Sequence, residues 1–136
     1  MQSTEEKKGK LSGKTAIITG ASSGIGKSTA LLFASEGCNL LITARREELL
    51  KEVKKECEEK GIKVCYYAGD VRLEQTAKEC VNLALKEFGK IDILINNAGI
   101  GKLIKLVDST AEDYKEIMDT NVFSSFIFQN MLLKIC

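Results

Sequence analysis

Three glycines fall within eight residues, Thr19-Gly20-Ala21-Ser22-Ser23-Gly24-Ile25-Gly26, between an apolar run over residues 15–19 and a helix-forming segment that opens at Gly24. A chain that leaves a strand, turns on glycine and enters a helix at once has few ways to fold. Glycine reaches positive φ and carries no Cβ, so this spacing allows a tight turn at Gly20, close approach of a phosphate at Gly24 and close helix–strand contact at Gly26. The first turn of such a helix holds unpaired N–H groups and a partial positive charge, which together favour an anion, most often a pyrophosphate. The bland alternative is a glycine-rich strand-to-helix turn that binds nothing. The choice rests on whether the surrounding chain repeats the strand–helix unit.

It does. Residues 24–36 suit a helix, with Ile25, Thr29, Leu32 and Phe33 expected on its inner face and Gly37 as the residue that ends it. Residues 38–43 are a short, mostly apolar run suited to a strand covered on both sides. A second helix over residues 47–60 turns Leu50, Val53 and Cys57 inward and keeps Glu47/Lys51 and Glu56/Lys60 as four-apart pairs on its wet side. A third strand is expected over residues 62–67. The helix after it, residues 74–88, has Ala77, Cys80, Val81, Ala84, Leu85 and Phe88 on its buried stripe, and residues 91–95 form a fourth strand. Glycines 61 and 89 close the second and third helices. Repeated strand–helix units with short connections imply right-handed crossovers and a parallel sheet. Thr110 and Asp113 then form a capping box for a long final helix.

At 136 residues the chain is one domain's worth. Its net charge of +1 argues against a nucleic-acid partner, which would favour a basic excess. The longest apolar stretch, residues 122–136, is interrupted by Ser124, Ser125, Gln129, Asn130 and Lys134 and is too short to span a membrane. Residues 1–13 alternate acids and lysines without an apolar core and read as a disordered tail on a cytoplasmic protein. The five cysteines are odd in number, contain no C-x-x-C and read as small buried hydrophobes. With no histidine in the chain, a zinc site or a His-based triad has no support, and no metal is expected.

Residues 19–26 resemble the T-G-x-x-x-G-x-G fingerprint of the short-chain dehydrogenases/reductases, and three further stretches extend the resemblance. Asp70 after the third strand matches that family's adenine-contacting Asp, Asn96-Asn97-Ala98-Gly99 its N-N-A-G, and Asn121 the helix asparagine of its Asn-Ser-Tyr-Lys tetrad. The resemblance runs over about residues 14–129. It implies an α/β fold, a Rossmann-type doubly wound parallel sheet of order 3-2-1-4, occupying residues 14–136 and truncated after strand four and the following helix. It places cofactor contacts on Gly20, Ser22, Ser23, Gly24, Ile25, Gly26, Arg45, Asp70, Val71, Asn97, Ala98 and Gly99, and a catalytic role on Asn121, which in the family bends a helix and holds a relay water. From the residues alone, Asp70 could instead cap the third helix, the Asn-Asn pair could be a plain turn, and Asn121 an exposed polar residue.

The cofactor is read after the second strand. An acid about 20 residues beyond the glycines normally binds the ribose 2′-OH of NAD; here Ala44 holds that place, followed by Arg45 and Arg46. A guanidinium there pairs with a 2′-phosphate, so NADP is expected ahead of NAD. Glu47 and Glu48 fit the first turn of a helix through its dipole. A rival is the P-loop, since residues 21–28 stand one residue from G-x-x-x-x-G-K-S/T, with Ala21 where the first glycine belongs and Lys27 for the phosphates. A third reading is a dinucleotide-binding or partner module without catalysis. The family's catalytic Ser and Tyr-x-x-x-Lys are absent from these 136 residues: Tyr66, Tyr67 and Tyr114 are followed four positions on by Asp70, Val71 and Met118. The expectation is an NADP-dependent oxidoreductase acting on alcohol or carbonyl groups, in a truncated, catalytically silent form. Self-association is expected through the final helix, with Phe123, Phe126, Phe128, Met131 and Leu132.

Overall fold

The computed structural model describes residues 9–97. The expected tail over residues 1–8, together with Ala98, Gly99, Thr110, Asp113, Tyr114, Asn121 and the final helix, lies outside the described residues. Within them the elements alternate strictly: β1 (Thr15–Thr19), α1 (Gly24–Ser35), β2 (Asn39–Ala44), α2 (Glu47–Glu58), β3 (Val64–Ala68), α3 (Glu74–Phe88) and β4 (Ile93–Ile95). The strands form one parallel sheet in the order β3-β2-β1-β4, the Rossmann-type arrangement.

Alternation along the strands sends successive side chains to opposite faces, and both faces are covered. Ala16, Ile18, Leu40 and Ile42 point to the side where α1 and α2 bring Ala30, Ala34, Leu50, Val53 and Cys57. Ile17 and Leu41 point to the other side, against Ala77, Cys80, Val81 and Ala84 of α3. Every residue of β1 is buried. Each large aliphatic side chain so enclosed contributes about 1.5–3 kcal/mol relative to exposure, so β1 and β2 carry much of the fold's stability.

The inward faces of α2 and α3 follow their apolar periodicity, with Leu85 and Phe88 at the half-buried end of the α3 stripe. That of α1 does not. Its buried residues are Gly26, Ala30 and Ala34, whereas Ile25 and Leu32 are 76% and 59% exposed, so the expected face of Ile25, Thr29, Leu32 and Phe33 is corrected at Ile25 and Leu32, while Phe33 is half-buried and packs on the core. The reason is distance. A Cβ added at Gly26 would stand 2.0 Å from the Gly20 carbonyl oxygen, so α1 meets the turn too closely for any side chain at its first contact. Small residues four apart continue that approach along the helix.

Residues 9–13, placed by sequence within the tail, are tied to the end of α1. The Leu11 amide donates to the Glu36 carbonyl at 2.9 Å, the Lys10 amide to Glu36 Oε1 at 2.8 Å, and Leu11 packs on the α1–α2 core. The thiols of Cys38 and Cys57 lie in that core, Cys80 in the α3 core with Cys65 at its margin, and all four are free. Burial pushes Cys38 and Cys57 up to about 11, and Cys65 and Cys80 up to about 12. Among the described residues no helix is long and apolar enough to cross a membrane.

Candidate functional site

The four strands end at Thr19, Ala44, Ala68 and Ile95, and the connections that leave these ends gather at one edge of the sheet. The chain runs from β1 outward through β2 and β3, then returns to place β4 on the other side of β1. The reversal makes the end of β1 a topological switch point, where open α/β sheets bind ligands.

At that point the turn between β1 and α1 is built from backbone. Gly20 and Gly24 have φ of 64° and 57°, in the left-handed region that favours glycine. The Ala21 amide donates to the Thr43 carbonyl at 3.3 Å, anchoring the turn to the end of β2. From the other side, the Asn97 amide donates to Thr19 Oγ1 at 2.9 Å and its Nδ2 donates to the Gly20 carbonyl at 3.3 Å. Asn97 therefore bonds the turn itself, as one face of a joint between β4 and β1. Thr19, whose hydroxyl also reaches the Ile95 carbonyl at 3.5 Å, is a contributor to which the sequence reading gives no role beyond the first place of the fingerprint.

The first turn of α1 carries no acid, whereas α2 begins with Glu47 and Glu48 and α3 with Glu74. Ser23 stands at its N-cap without a side-chain capping bond, Ser22 is half-buried, and a Cβ built on Gly24 meets nothing within 4 Å. Among the described residues no side chain caps this terminus, and the space above Gly24 has room for a group the size of a phosphate. The exposed Ile25 side chain flanks this turn.

The other end of the site is made of charge. Asp70, in the loop after β3, accepts at Oδ1 from the Arg72 amide (2.9 Å) and Arg72 Nε (3.0 Å), and at Oδ2 from Arg72 Nε (3.1 Å) and Nη2 (2.7 Å). Arg45, immediately after β2, reaches the same Oδ2 through Nη2 at 3.3 Å. The hydrogen-bonded Arg72 guanidinium, with the Arg72 amide and the charge of Arg45 behind it, holds the Asp70 carboxyl down at about 2. These bonds turn Asp70 toward Arg72 and Arg45, so the alternative of a cap on α3 is replaced by an acid between two arginines. Val71 buries its side chain in the α3 core. Arg46 points elsewhere, pairing with Glu48 at 3.3 Å. Sequence reasoning misses Arg72 because an arginine two residues after an aspartate carries no periodic signal.

Lys27, which the P-loop rival needs at the phosphates, pairs with Glu56 of α2 at 3.4 Å. That pair turns the ammonium toward α2, and the first glycine of the P-loop pattern is still replaced by Ala21.

Comparison with known proteins agrees with this geometry. The sequence profile of the family described as short chain dehydrogenase matches residues 14–135. The chain is 38% identical over 112 residues to an (S)-acetoin-forming diacetyl reductase of Staphylococcus epidermidis, covering 82% of this chain and 44% of that protein. It is 38% identical over 124 residues to a 3-oxoacyl-acyl-carrier-protein reductase of Thermotoga maritima, covering 91% of this chain and 50% of that one. Among solved structures it superposes on NAD+-bound xylitol dehydrogenase with a TM-score of 0.87 at 32% identity, covering 92% of this chain and 48% of that chain. L-Sorbose reductase from Gluconobacter frateurii, complexed with NADPH and L-sorbose, gives a TM-score of 0.87 at 33% identity, covering 94% of this chain and 49% of that one. The chain spans about half the length of these relatives or less.

Proposed function

Because this chain belongs to the short chain dehydrogenase family, we propose that it binds NADP(H) in preference to NAD(H) and serves the exchange of hydride between that cofactor and an alcohol or carbonyl compound. The nicotinamide dinucleotide, when bound, supplies the hydride chemistry. The protein's part is to hold and orient it. Gly20, Ser22, Ser23, Gly24, Ile25 and Gly26 form the turn and helix end suited to the pyrophosphate, Asp70 and the Val71 backbone stand at the adenine end, and Asn97 continues the edge beside β1. Ala98, Gly99 and the catalytic Asn121 complete the proposed set. We place the protein in the cytoplasm on the strength of the four free thiols among the described residues, with a homo-oligomer through the final helix as the proposed assembly.

The observation that carries the cofactor preference is Arg45 at the end of β2 with Ala44 before it, where an acid would serve the 2′-OH of NAD. Arg45 makes one 3.3 Å contact with Asp70 and has other N–H groups for a phosphate. A desolvated Arg–phosphate pair contributes roughly 1.5–3 kcal/mol, which is about ten- to a hundredfold in affinity. Titration of the 136-residue chain with NADPH and NADH, followed by cofactor fluorescence, is expected to show that preference and its loss in Arg45→Ala. Equal affinities in the unmodified chain would sink it.

We further propose that residues 1–136 alone hold the cofactor without turning it over. They contain no tyrosine with a lysine four residues on, and positioned proton transfer of that kind is worth about 10²–10⁴ in rate. NADPH consumption with carbonyl compounds is expected to stay at the rate without protein. Steady turnover that disappears in Tyr114→Phe would overturn this part while leaving the cofactor preference standing.

A further inference from the structure

The Asp70 carboxylate has two arginines to choose between, and it has chosen unequally. Arg72 takes both oxygens through its amide, Nε and Nη2, at 2.7–3.1 Å, while Arg45 touches one oxygen through one nitrogen at 3.3 Å. A carboxylate offers about four lone-pair positions, so the Arg72 contacts leave little for a second fork. Exposure ranks the same way: the side chains of Asp70 and Arg72 are 23% and 32% exposed, that of Arg45 52%. Arg72 also lies two residues from Asp70 and bonds it with its own amide, so this fork is local. Arg45 comes from the end of β2, across the sheet edge.

We propose that Arg72 is a positioning residue for cofactor choice: by occupying the Asp70 carboxylate in a fork, it prevents that carboxylate from capturing Arg45 and leaves Arg45 available to the 2′-phosphate of NADP(H). The proposal rests on the NADP(H) reading above. Without Arg72, a bidentate Arg45–Asp70 pair becomes the strongest arrangement open to both groups, since two parallel charge-assisted bonds exceed one long contact. The charge balance shifts in the same direction. One carboxylate between two guanidinium groups is net positive, and an approaching phosphate meets attraction; one carboxylate paired with one guanidinium is neutral.

The test measures NADPH and NADH affinities of the full chain in a set of variants and reads their ratio. Arg72→Leu is expected to weaken NADPH about tenfold, the size of coupling usual between residues sharing a partner, with NADH affected about twofold or less. In an Arg45→Ala background the same change should lower the ratio no further. Adding Asp70→Asn to Arg72→Leu should restore it, because an amide cannot capture Arg45 with a charge; any loss of adenine contact falls on both cofactors alike. Equal loss of NADPH and NADH in Arg72→Leu, an undiminished effect without Arg45, or failure of Asp70→Asn to restore the ratio would each overturn the proposal. Arg72→Lys keeps the charge without the fork and is expected to lower the ratio several-fold, which provides the same reading if the leucine variant does not fold. A second measurement needs no cofactor. NMR of the Arg45 guanidinium should show rapid rotation in the unmodified chain and slowed rotation and exchange in Arg72→Leu. Unchanged rotation overturns the positioning role even if NADPH is preferred. Slowed rotation in a chain that binds both cofactors equally upholds the capture by Asp70 and places the failure in the cofactor reading.

Discussion

The two ends of the candidate site, both assigned above to the proposed anionic cofactor, are built by different physics. The turn between β1 and α1 uses backbone amides, two left-handed glycines and a contact at Gly26 that excludes every side chain. It contains no titratable group from residue 19 to residue 26. The loop after β3 uses a carboxylate between two guanidinium groups, all of them at least partly open to solvent. The first end is therefore bound up with folding, and its failure is a packing failure. The second is an electrostatic arrangement at the surface of the fold, and it answers to salt, pH and single charges.

The largest expected effect breaks the first end. Gly26→Ala places a methyl group 2.0 Å from the Gly20 carbonyl oxygen and 2.6 Å from Asn97 Nδ2, so α1 must move off the sheet. A destabilisation of about 3 kcal/mol, at the upper end for overpacked sites, is expected in urea unfolding, with little change on adding salt. Asn97→Ala removes the Nδ2 bond to Gly20 and should cost about 1 kcal/mol, also insensitive to salt. A strong salt dependence in either variant would erase the distinction between the two ends.

The charged end is sharpened by acid. The folded-state pKa of Asp70, about 2, lies below the ordinary carboxylate value, so its contribution to stability is complete above about pH 4 and is lost as the pH falls toward 2. The unfolding midpoints of the unmodified chain and of Asp70→Asn should therefore differ at pH 6 and converge by pH 2. Molar salt should narrow the gap at pH 6. A gap independent of pH would mean that Asp70 acts by shape. The smallest effect is that of Arg46→Ala, about 0.5 kcal/mol or less in stability and none in cofactor preference, because both members of its pair with Glu48 are well exposed. Loss of preference there would move the specificity from Arg45 to its neighbour.

The same division explains what could be read from sequence. The strand–helix alternation, the α2 and α3 faces and the glycine turn were legible because periodicity and glycine spacing report backbone geometry directly, whereas the strand order came from the family resemblance. The α1 face was not, because Ile25 and Leu32 carry the hydrophobic signal while Gly26, Ala30 and Ala34 make the contact; when two backbones come this close, smallness decides burial. Strand limits moved by one or two residues, as with β3 at Val64–Ala68, since pairing with β2 and not side-chain character sets them. Asp70 and Arg45 could each be singled out, but not their meeting, which joins two loops across the sheet edge. Arg72 gave no sign at all, its bonds to Asp70 arising from a two-residue turn.

The placement of the thiols equips the protein with an internal stopwatch. Cys38 and Cys57 are sealed on the α1–α2 side of the sheet and Cys80 on the α3 side, and burial keeps each of them in its unreactive, protonated form at neutral pH. A thiol reagent can reach them only when the layer above opens, so peptide-resolved labelling rates would record how often each side of the sheet breathes. The natural sequence already carries probes for both layers, with no dye or engineered residue required. A ligand that seats on the glycine turn should slow the clock of the α1 layer more than that of the other.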